Sequence, residues 1–414
     1  EARGRVGLRT QVTGQATRPS AVTRFDNVRV NRAQEAVRIA PTTPKKVKGQ
    51  ATQEAKPVQD RPTQEAKPVR DHPTPTTPRT FPSDAIYVPA SIDATGSRDV
   101  SAELQSLIDK APDGSTIGFK AGGTYRLGRF VKVNSRKGLT LEGNGATLKL
   151  TGVGDYTGSA IYVQNGSTNT TIRDLSIVGN HAAAGTKDTC CGRESQHGIG
   201  VWSAHDTLIE RVDISRVGGD CLNIRTFGQL ETWSDGVTIR DMTCRLTGRT
   251  GVVMNGASRV LIEDSVFDEI GLAVFGFEPN KSYQGSRDIT IRNNTIGSYS
   301  LTGNYRGFLL YANDAKWSDG PATIRNVTVT GNTVAGNRNG RTGEMNGLHV
   351  WVNAWREDAG DRFDFTVTDN TAAKAVAGPA IRIHETQGVI VRGNEQPLSS
   401  GALASFTRST DVTY

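Results

Sequence analysis

A two-part repeat runs through the sequence from residue 140 onward and limits the folds that the chain can adopt. Its first part is a Thr or an apolar residue followed by an apolar residue, and its second part alternates apolar and variable residues. Copies of the first part begin at Thr140, Thr171, Leu208, Thr238, Leu261, Thr290, Thr328, Thr366 and Ile390. The shortest intervals, from Ile239 to Ile262 and from Val367 to Val391, are 23 and 24 residues. Alternation over such short runs predicts strands, and the intervals are too short to hold a helix between them.

The repeat predicts a solenoid in which each copy is one turn of a coil, here called a rung. Strands of successive rungs would pair about 4.8 Å apart, and their inward side chains would stack into one continuous core. Asparagine stands three places after the first part at Asn144, Asn294, Asn332, Asn370 and Asn394. Because asparagine tolerates left-handed backbone angles, we expect it to turn the chain there. The sequence therefore predicts an all-β fold, a parallel β-helix of about nine rungs.

Composition and charge narrow the range of partners. Hydrophobic residues make up only 36% of the chain and glycine occurs 46 times, which suits a narrow core with many tight corners. The net charge is +7, but Lys and Arg are scattered among Asp and Glu, so no nucleic-acid partner is predicted. No apolar run approaches the roughly 18 residues of a membrane span, so no membrane partner is predicted either. We expect a monomer.

The four cysteines lie within three consecutive rungs, at Cys190, Cys191, Cys221 and Cys244. An even number in neighbouring rungs predicts two disulfides in an exported protein, with buried free thiols as the alternative. Adjacent cysteines rarely bond to each other, so we expect Cys190 or Cys191 to pair with Cys221 or Cys244. No metal-site spacing occurs, no metal or cofactor is predicted, and calcium has no support. The chain begins at Glu1 without a signal peptide, so the export signal is expected upstream.

Three segments differ in composition. Residues 1–30 contain the strand-like pieces RVGLRTQ and VTRFDNVRV, which resemble the last strands of a laminin-G or concanavalin-like jelly roll. Residues 31–82 contain the near-duplicates TQEAKPVQDRP and TQEAKPVRDHP, and this proline-rich composition predicts a disordered linker. Residues 83–414 have a globular composition and carry the rungs. We therefore expect a jelly-roll remnant, a linker and a β-helix domain.

The start of the third segment predicts a helix. The sequence DVSAELQSLIDKA places Val100, Leu104, Leu107 and Ile108 on one helical face. Such a helix before the first rung would cover the open end of the core. The longer stretch DVSAELQSLIDKAPDGSTIGFKAGGTYRL, with the rungs after it, resembles the pectate-lyase-like superfamily of pectate lyases and polygalacturonases. This resemblance implies a right-handed parallel β-helix with an N-terminal capping helix.

The outward positions of the second repeat part are rich in aromatic, Arg, Asn and His residues. In each copy, two apolar residues separated by one variable residue are expected to point inward. The outward residues that follow these two are Trp202, Arg225, Asn255, Phe277, Tyr311, Trp351 and His384, and the outward residues between them include Asn223 and His349. A solvated sheet face would favour Thr, Ser, Lys and Glu, whereas aromatic faces suit the apolar C–H groups of sugar rings. Insertions flank these positions on both sides, which predicts a glycan-binding groove. The alternative is that the loops fold down and the aromatic residues only pack beneath them.

Two residues just before the inward pairs are candidates for catalysis. His197 and Asp220 occupy equivalent places in successive rungs, so we expect their side chains to lie within hydrogen-bonding distance. The segments SQHGIGV and GGDCLNI resemble the polygalacturonase stretches NTDGID and GDDCIAI, with His197 and Gly219 in place of two aspartates. Asp220 matches the remaining aspartate, and Thr250 stands in place of that family's histidine. The resemblance implies that an unmodified polygalacturonase mechanism does not carry over.

The same positions fit β-elimination of a uronic acid, which needs a cation or donors for the carboxylate and a base for the C5 proton. We predict catalytic roles for His197, Asp220, Arg225, Tyr311 and His349, and substrate binding by Trp202, Asn223, Asn255, Phe277, Trp351 and His384. Arg225 would hold the carboxylate, and His197 would be the base, oriented by Asp220. Tyr311 or His349 would be the acid or the alternative base. The leading prediction is a secreted lyase of an acidic polysaccharide; the alternatives are a polygalacturonase-like hydrolase and a non-catalytic glycan-binding solenoid.

Overall fold

Parallel strands stacked along one axis are the main element of the described residues in the computed structural model. The structure describes residues 83–151, 158–182, 194–227, 232–302, 310–312, 322–336, 347–352 and 362–414, with only the backbone of 310–312. The predicted jelly-roll remnant and linker lie outside the described residues, as do Cys190, Cys191 and large parts of the loops predicted to flank the groove. The division into these domains therefore stays a prediction. Within the described part, no helix is both long and apolar enough to cross a membrane.

Among the described residues, ten strands form one parallel sheet, which we call the floor sheet. They are Val131–Asn134, Ile161–Gln164, Ile199–Trp202, Leu222–Arg225, Val252–Asn255, Phe275–Phe277, Leu310–Ala312, Val350–Val352, Ile381–His384 and Ala404–Thr407. Each strand pairs with its neighbours in constant register; Leu222, for example, lies opposite Ile199 on one side and Val252 on the other. Outward side chains of successive strands therefore form straight columns.

In the described ranges, nineteen further strands form the other faces of the coil. They are Ile86–Tyr87, Thr95–Asp99, Thr116–Gly118, Thr124–Leu127, Thr140–Leu150, Thr171–Val178, His205–Ser215, Ser234–Arg240, Thr243–Arg245, Ala257–Glu263, Val266–Asp268, Ser286–Arg292, Thr295–Ile296, Ile324–Thr330, Thr333–Val334, Arg362–Thr368, Thr371–Ala372, Thr386–Arg392 and Thr410–Thr413. Val376–Ala377 and Leu398–Ser400 form a separate pair. The first repeat part lies in these strands, where Ile209, Ile239 and Ile262 are register partners and fully buried. The predicted solenoid is confirmed, and the number of rungs stays a prediction.

The helix Ser101–Lys110 lies near the start of the described chain, as the apolar spacing predicts. Its Leu104 and Ile108 are buried and belong to the continuous apolar core, and Leu107 packs against that core. The carboxylate of Asp99 accepts a hydrogen bond from the amide N–H of Ser101 at 2.9 Å, which satisfies one of the free amides at the helix start. That this helix closes the end of the core stays a prediction.

Four of the predicted turn asparagines have a different role. The left-handed angle belongs to the residue before each of them, at Asn293, Gly331, Asp369 and Gly393, and only Asn144 has a positive φ itself, of 52°. The side chains instead form a buried ladder, in which the amide of Asn294 donates to the Oδ1 of Asn332 at 2.9 Å. Asn332 and Asn370 repeat this bond toward Asn370 and Asn394. The turn prediction is wrong at these four positions because their amides link neighbouring rungs in the interior.

A disulfide joins Cys221 to Cys244, with 6.0 Å between their Cα atoms. Both residues are fully buried, and Cys244 is the register partner of Ile214, whose carbonyl oxygen lies 3.8 Å from the Sγ of Cys221. The prediction that Cys190 or Cys191 pairs with one of these two cysteines is therefore wrong. Consecutive rungs point both side chains into the same part of the interior, and they bond to each other.

Removing this disulfide should destabilise the protein. The bond closes a loop of 23 residues, and a loop of this size constrains the unfolded chain by about 3 kcal/mol in the chain-entropy account. We expect the double variant Cys221→Ala/Cys244→Ala to lose about 2–4 kcal/mol of unfolding free energy in urea denaturation. An unfolding midpoint equal to that of the wild type would contradict this expectation.

Candidate active site

His197 and Asp220 meet at the start of two adjacent floor strands, as predicted from their equivalent places. Each stands two residues before its strand, Ile199–Trp202 and Leu222–Arg225 respectively. The Nδ1 of His197 lies 2.9 Å from the amide nitrogen of Asp220, which donates to it, and 3.2 Å from the Oδ2 of the same residue. Asp220 thus offers both a donor and an acceptor to one ring nitrogen. A bare Nδ1 accepts from the amide N–H and a protonated Nδ1 donates to Oδ2, so either neutral tautomer of His197 has a partner in Asp220.

Gly219 makes room for the His197 ring. A Cβ atom at this position would lie 2.6 Å from Nδ1 of His197 and 2.5 Å from the carbonyl oxygen of Glu194. Both separations are closer than side chains in proteins allow, so no larger residue fits without a shift of the backbone. The glycine at position 219 is therefore tied to the presence of the imidazole.

The carboxylate of Asp220 is enclosed by the protein. Its Oδ1 accepts a hydrogen bond from the amide N–H of Thr250 at 3.1 Å, and its Oδ2 accepts one from the Nδ2 of Asn223 at 3.3 Å. The Nε of Arg249 lies 3.5 Å from Oδ1, an ion-pair distance without hydrogen-bond geometry. The side chain is only 1% exposed. Asp220 therefore positions and polarises its neighbours and does not itself reach a substrate.

Arg249 and Glu278 extend this cluster, and Arg249 was not among the predicted site residues. The Nη2 of Arg249 donates to the Oε2 of Glu278 at 3.2 Å. The nearby charge of Asp220 raises the pKa of Arg249, although burial opposes this, so the guanidinium stays charged. The amide N–H of Glu278 donates to the Oδ1 of Asn255 at 3.0 Å, and the Glu278 side chain is 31% exposed. Glu278 is thus the more accessible of the two carboxylates in the cluster.

Phe277 does not lie in the groove, which corrects the predicted register of its rung. Phe275 and Phe277 are partners of the inward residues Val252 and Met254, and both phenylalanines are fully buried in the core. The outward place beside Asn255 belongs to Glu278 instead. The glycine between the two phenylalanines faces outward because a glycine turned inward would leave a void in the core.

Arg225 and Trp202 form the cationic part of the site. The guanidinium of Arg225 lies 4.6 Å from the centre of the Trp202 ring, and Trp202 donates from Nε1 to the Oδ1 of Asn223 at 3.2 Å. Burial lowers the pKa of Arg225, but a guanidinium remains charged in proteins. Among the described residues, no carboxylate forms an ion pair with Arg225. The site therefore holds a half-buried positive charge that a ligand can neutralise.

An aromatic row continues from Trp202 toward the helix. Tyr162 meets Trp202 edge to face with 4.6 Å between ring centres, and Phe130 meets Tyr162 in the same way at 5.3 Å. Gly200 permits this, because a Cβ there would lie 2.8 Å from the Tyr162 ring. Beyond Phe130 lies a cavity of about 730 Å³, whose lining includes Phe130 and Lys132. Phe130 and Trp202 stay partly exposed at the two ends of the row, and the buried Tyr162 packs between them.

The other predicted site residues lie elsewhere along the coil. His349 stands just before the strand Val350–Val352, five strand spacings from Ile199–Trp202, or about 24 Å. It is buried, and burial lowers its pKa to about 4. Trp351 points outward from the same strand, and half-buried His384 ends a later one, with its pKa lowered by burial and by Arg408. Tyr311 belongs to a described strand, but its side chain lies outside the described residues.

The structure thus brings together one group of predicted residues and separates another. Trp202, Asn223, Arg225 and Asn255 lie on three adjacent floor strands, and His197 and Asp220 stand just before two of these strands. His349, Trp351 and His384 form a second group toward the C-terminus. Among the described residues, no group of three or more His, Cys, Asp or Glu side chains is arranged to hold a metal ion.

Comparison with known proteins identifies the fold. A family model described as "Right handed beta helix region" matches residues 130–296. The chain is a right-handed β-helix protein. This confirms the fold class and the resemblance to the pectate-lyase-like superfamily that the sequence indicated. No curated protein matches the chain in sequence.

Solved structures similar to this β-helix have low sequence identity to it. The enzymatically active domain of tailspike protein 2 from bacteriophage CBA120 is 13% identical, with a TM-score of 0.53 over 78% of this chain and 46% of that one. The pre-mature gene product 12 of bacteriophage phi29 is 13% identical, with a TM-score of 0.50 over 73% of this chain and 44% of that one. This chain therefore covers less than half of each phage protein. At such identities the similarity establishes the fold alone.

Proposed function

We propose that this β-helix is a secreted polysaccharide lyase that cleaves a uronate-containing chain by β-elimination. The observation that carries the proposal is the half-buried guanidinium of Arg225, which lies over Trp202 and has no carboxylate partner among the described residues. An acidic sugar would place its ring against the indole and its carboxylate against the cation. His197 belongs to the preceding rung and is linked to Trp202 through Asp220 and Asn223.

The proposed reaction moves one proton and breaks one bond. Arg225 and the side-chain amide of Asn255 hold the uronate carboxylate and stabilise the charge that builds up as C5 loses its proton. In the neutral tautomer whose Nδ1–H donates to the Oδ2 of Asp220, the bare Nε2 of His197 takes this proton. The C4–C5 double bond forms as the C4–O4 bond breaks, and His197 returns its proton to the leaving oxygen.

Tyr311 and His349 have no proton transfer in this proposal. The strand of Tyr311 is three spacings from that of Arg225, or about 14 Å, and His349 is farther away. Because the pKa of His349 is about 4, almost none of its imidazole is protonated at neutral pH, and it is a poor proton donor there. Both residues are too far along the coil to serve the same sugar as His197.

A polygalacturonase-like hydrolase is the second candidate, and the exposed carboxylate of Glu278 favours it. Hydrolysis needs two carboxyl groups that flank one bond. Glu278 can reach a substrate, but Asp220 is enclosed and 1% exposed. The pair of a half-buried Glu278 and an enclosed Asp220 supports hydrolysis less well than the pairing of a cation with an imidazole supports elimination.

Turnover assays separate these functions. We expect incubation with galacturonan, mannuronan or another uronate polymer to raise double-bond absorbance and reducing ends in equal molar amounts, whereas a neutral glucan gives neither. Reducing ends without double bonds would indicate the hydrolase. Binding of a uronate polymer with neither signal would indicate a non-catalytic glycan-binding solenoid.

A further inference from the structure

A second arginine lies over a second tryptophan on the same outward face of the floor sheet. The guanidinium of Arg382 lies 4.2 Å from the centre of the Trp351 ring, compared with 4.6 Å for Arg225 and Trp202. In both pairs the two residues are cross-strand neighbours in register, on adjacent floor strands. The same combination of cation and indole therefore occurs at two places along one surface.

Arg382 is held in place without an acidic partner. Its Nε donates to the carbonyl oxygen of Pro379 at 3.2 Å, which fixes the guanidinium beside the indole. Within the part of the chain that the structure describes, no carboxylate forms an ion pair with Arg382. A half-exposed cation on an aromatic face suits a carboxylated sugar, since the ring contacts the indole and the acid contacts the charge.

The distance between the two pairs follows from the strand register. The strand of Arg382 is reached from that of Arg225 in five steps, through Val252–Asn255, Phe275–Phe277, Leu310–Ala312 and Val350–Val352. At about 4.8 Å per step the pairs are about 24 Å apart along the coil. An extended glycan advances by roughly one strand spacing per sugar, so about six consecutive sugars are needed to touch both pairs.

We infer that Arg382 and Trp351 form a distal subsite that binds a second carboxylated sugar of the same polysaccharide. The inference rests on the proposed function for the class of substrate. It adds that the substrate lies along the axis of the floor sheet and that the protein prefers long chains over short ones. Arg382 is a binding residue here and takes no part in the bond cleavage near His197.

The test compares oligouronides of two lengths. We expect Arg382→Ala to weaken binding of octamers about tenfold, the loss typical of one charge-assisted contact, and to leave binding of trimers unchanged. Arg382→Lys, which keeps the charge, should recover part of the octamer affinity. The matched control is Arg392→Ala, which removes the same charge from an exposed residue on another face of the coil and should change neither affinity.

Calorimetric or fluorescence titration measures these affinities without requiring turnover. Octamer binding that is unchanged in Arg382→Ala, or trimer and octamer binding that fall equally, would overturn the distal subsite while the proposed function stands. A wild-type protein that binds uronate chains of neither length would overturn both. Loss of octamer binding in Arg392→Ala as large as in Arg382→Ala would show a general charge effect and would also overturn the subsite.

Discussion

Replacing Arg225 by alanine should lower turnover of an acidic polysaccharide by about 10²–10³-fold, the loss seen when one charge-stabilising donor is removed from an enzyme site. In the proposed elimination the carboxylate gains negative charge as the C5 proton leaves. Arg225 is the cation placed to stabilise that charge, and burial beside Trp202 strengthens the interaction. The rate of double-bond formation per enzyme, measured as kcat/KM, checks this expectation.

The control for this experiment is Arg292→Ala. Arg292 is a half-exposed arginine on another face of the coil, paired with Glu263 at 2.6 Å. We expect both variants to keep the wild-type melting temperature within a few degrees, because outward arginines support little of the core. Wild-type turnover in Arg225→Ala would place the chemistry elsewhere on the floor sheet, around Trp351 and His384.

Replacing His197 by alanine should lower kcat by about 10²–10⁴-fold, the usual contribution of a positioned acid or base. Asp220→Asn should cost less, because Asp220 acts through the ring and is closed off from the substrate. His205→Ala is a matched control, since His205 lies in the strand His205–Ser215 on another face. A greater loss in Asp220→Asn than in His197→Ala, with reducing ends as the only product, would favour the hydrolase.

The pH dependence carries a further signature of His197. Burial lowers its pKa below the ordinary 6.5, the charges of Arg249 and Arg225 act in the same direction, and Asp220 opposes them. The neutral ring is the active base, so activity is present above the lowered pKa and is lost as the pH falls through it. The acid limb of kcat/KM should therefore lie below pH 6.5 and should move lower still in Asp220→Asn. A limb that moves upward in that variant would contradict the assignment.

The same shift has a consequence for stability. A histidine whose pKa is lower in the folded state binds fewer protons there than in the unfolded chain between the two pKa values. Its contribution to stability is complete above the ordinary pKa of 6.5 and is lost as the pH falls toward the folded value. We therefore expect this histidine to lower the melting temperature as the pH falls below 6.5.

The repeat was enough to predict the coil, because inward and outward positions of a strand differ in polarity and the pattern recurs in successive rungs. It also placed His197 next to Asp220, since equivalent places in adjacent rungs are spatial neighbours. The ladder of Asn332 and its neighbours shows the limit of such reasoning. The spacing located these asparagines correctly, but whether an amide turns the chain or bridges two rungs depends on which way its side chain points.

Two errors at the site have physical causes that the sequence contains only in part. In the segment VFGFE, either Val274 and Gly276 or Phe275 and Phe277 could face inward without placing a polar side chain in the core. The larger volume of the two phenylalanines was the signal that favoured the second, correct choice. Arg249 was missed because it precedes its floor strand by three residues, where alternation no longer tells where a side chain points. Its contact with Asp220 and Glu278 depends on the course of the turn.

The close fit at Gly219 restricts how this site can change over evolution. A carboxylate at position 219, as in the polygalacturonase-like pattern, would occupy the space of the His197 imidazole and would press on the carbonyl of Glu194. A lineage moving between the two arrangements cannot alter either position alone without displacing the other. An imidazole at position 197 and a carboxylate at position 219 thus exclude each other, and exchanging one for the other, by selection or in the laboratory, requires paired substitutions.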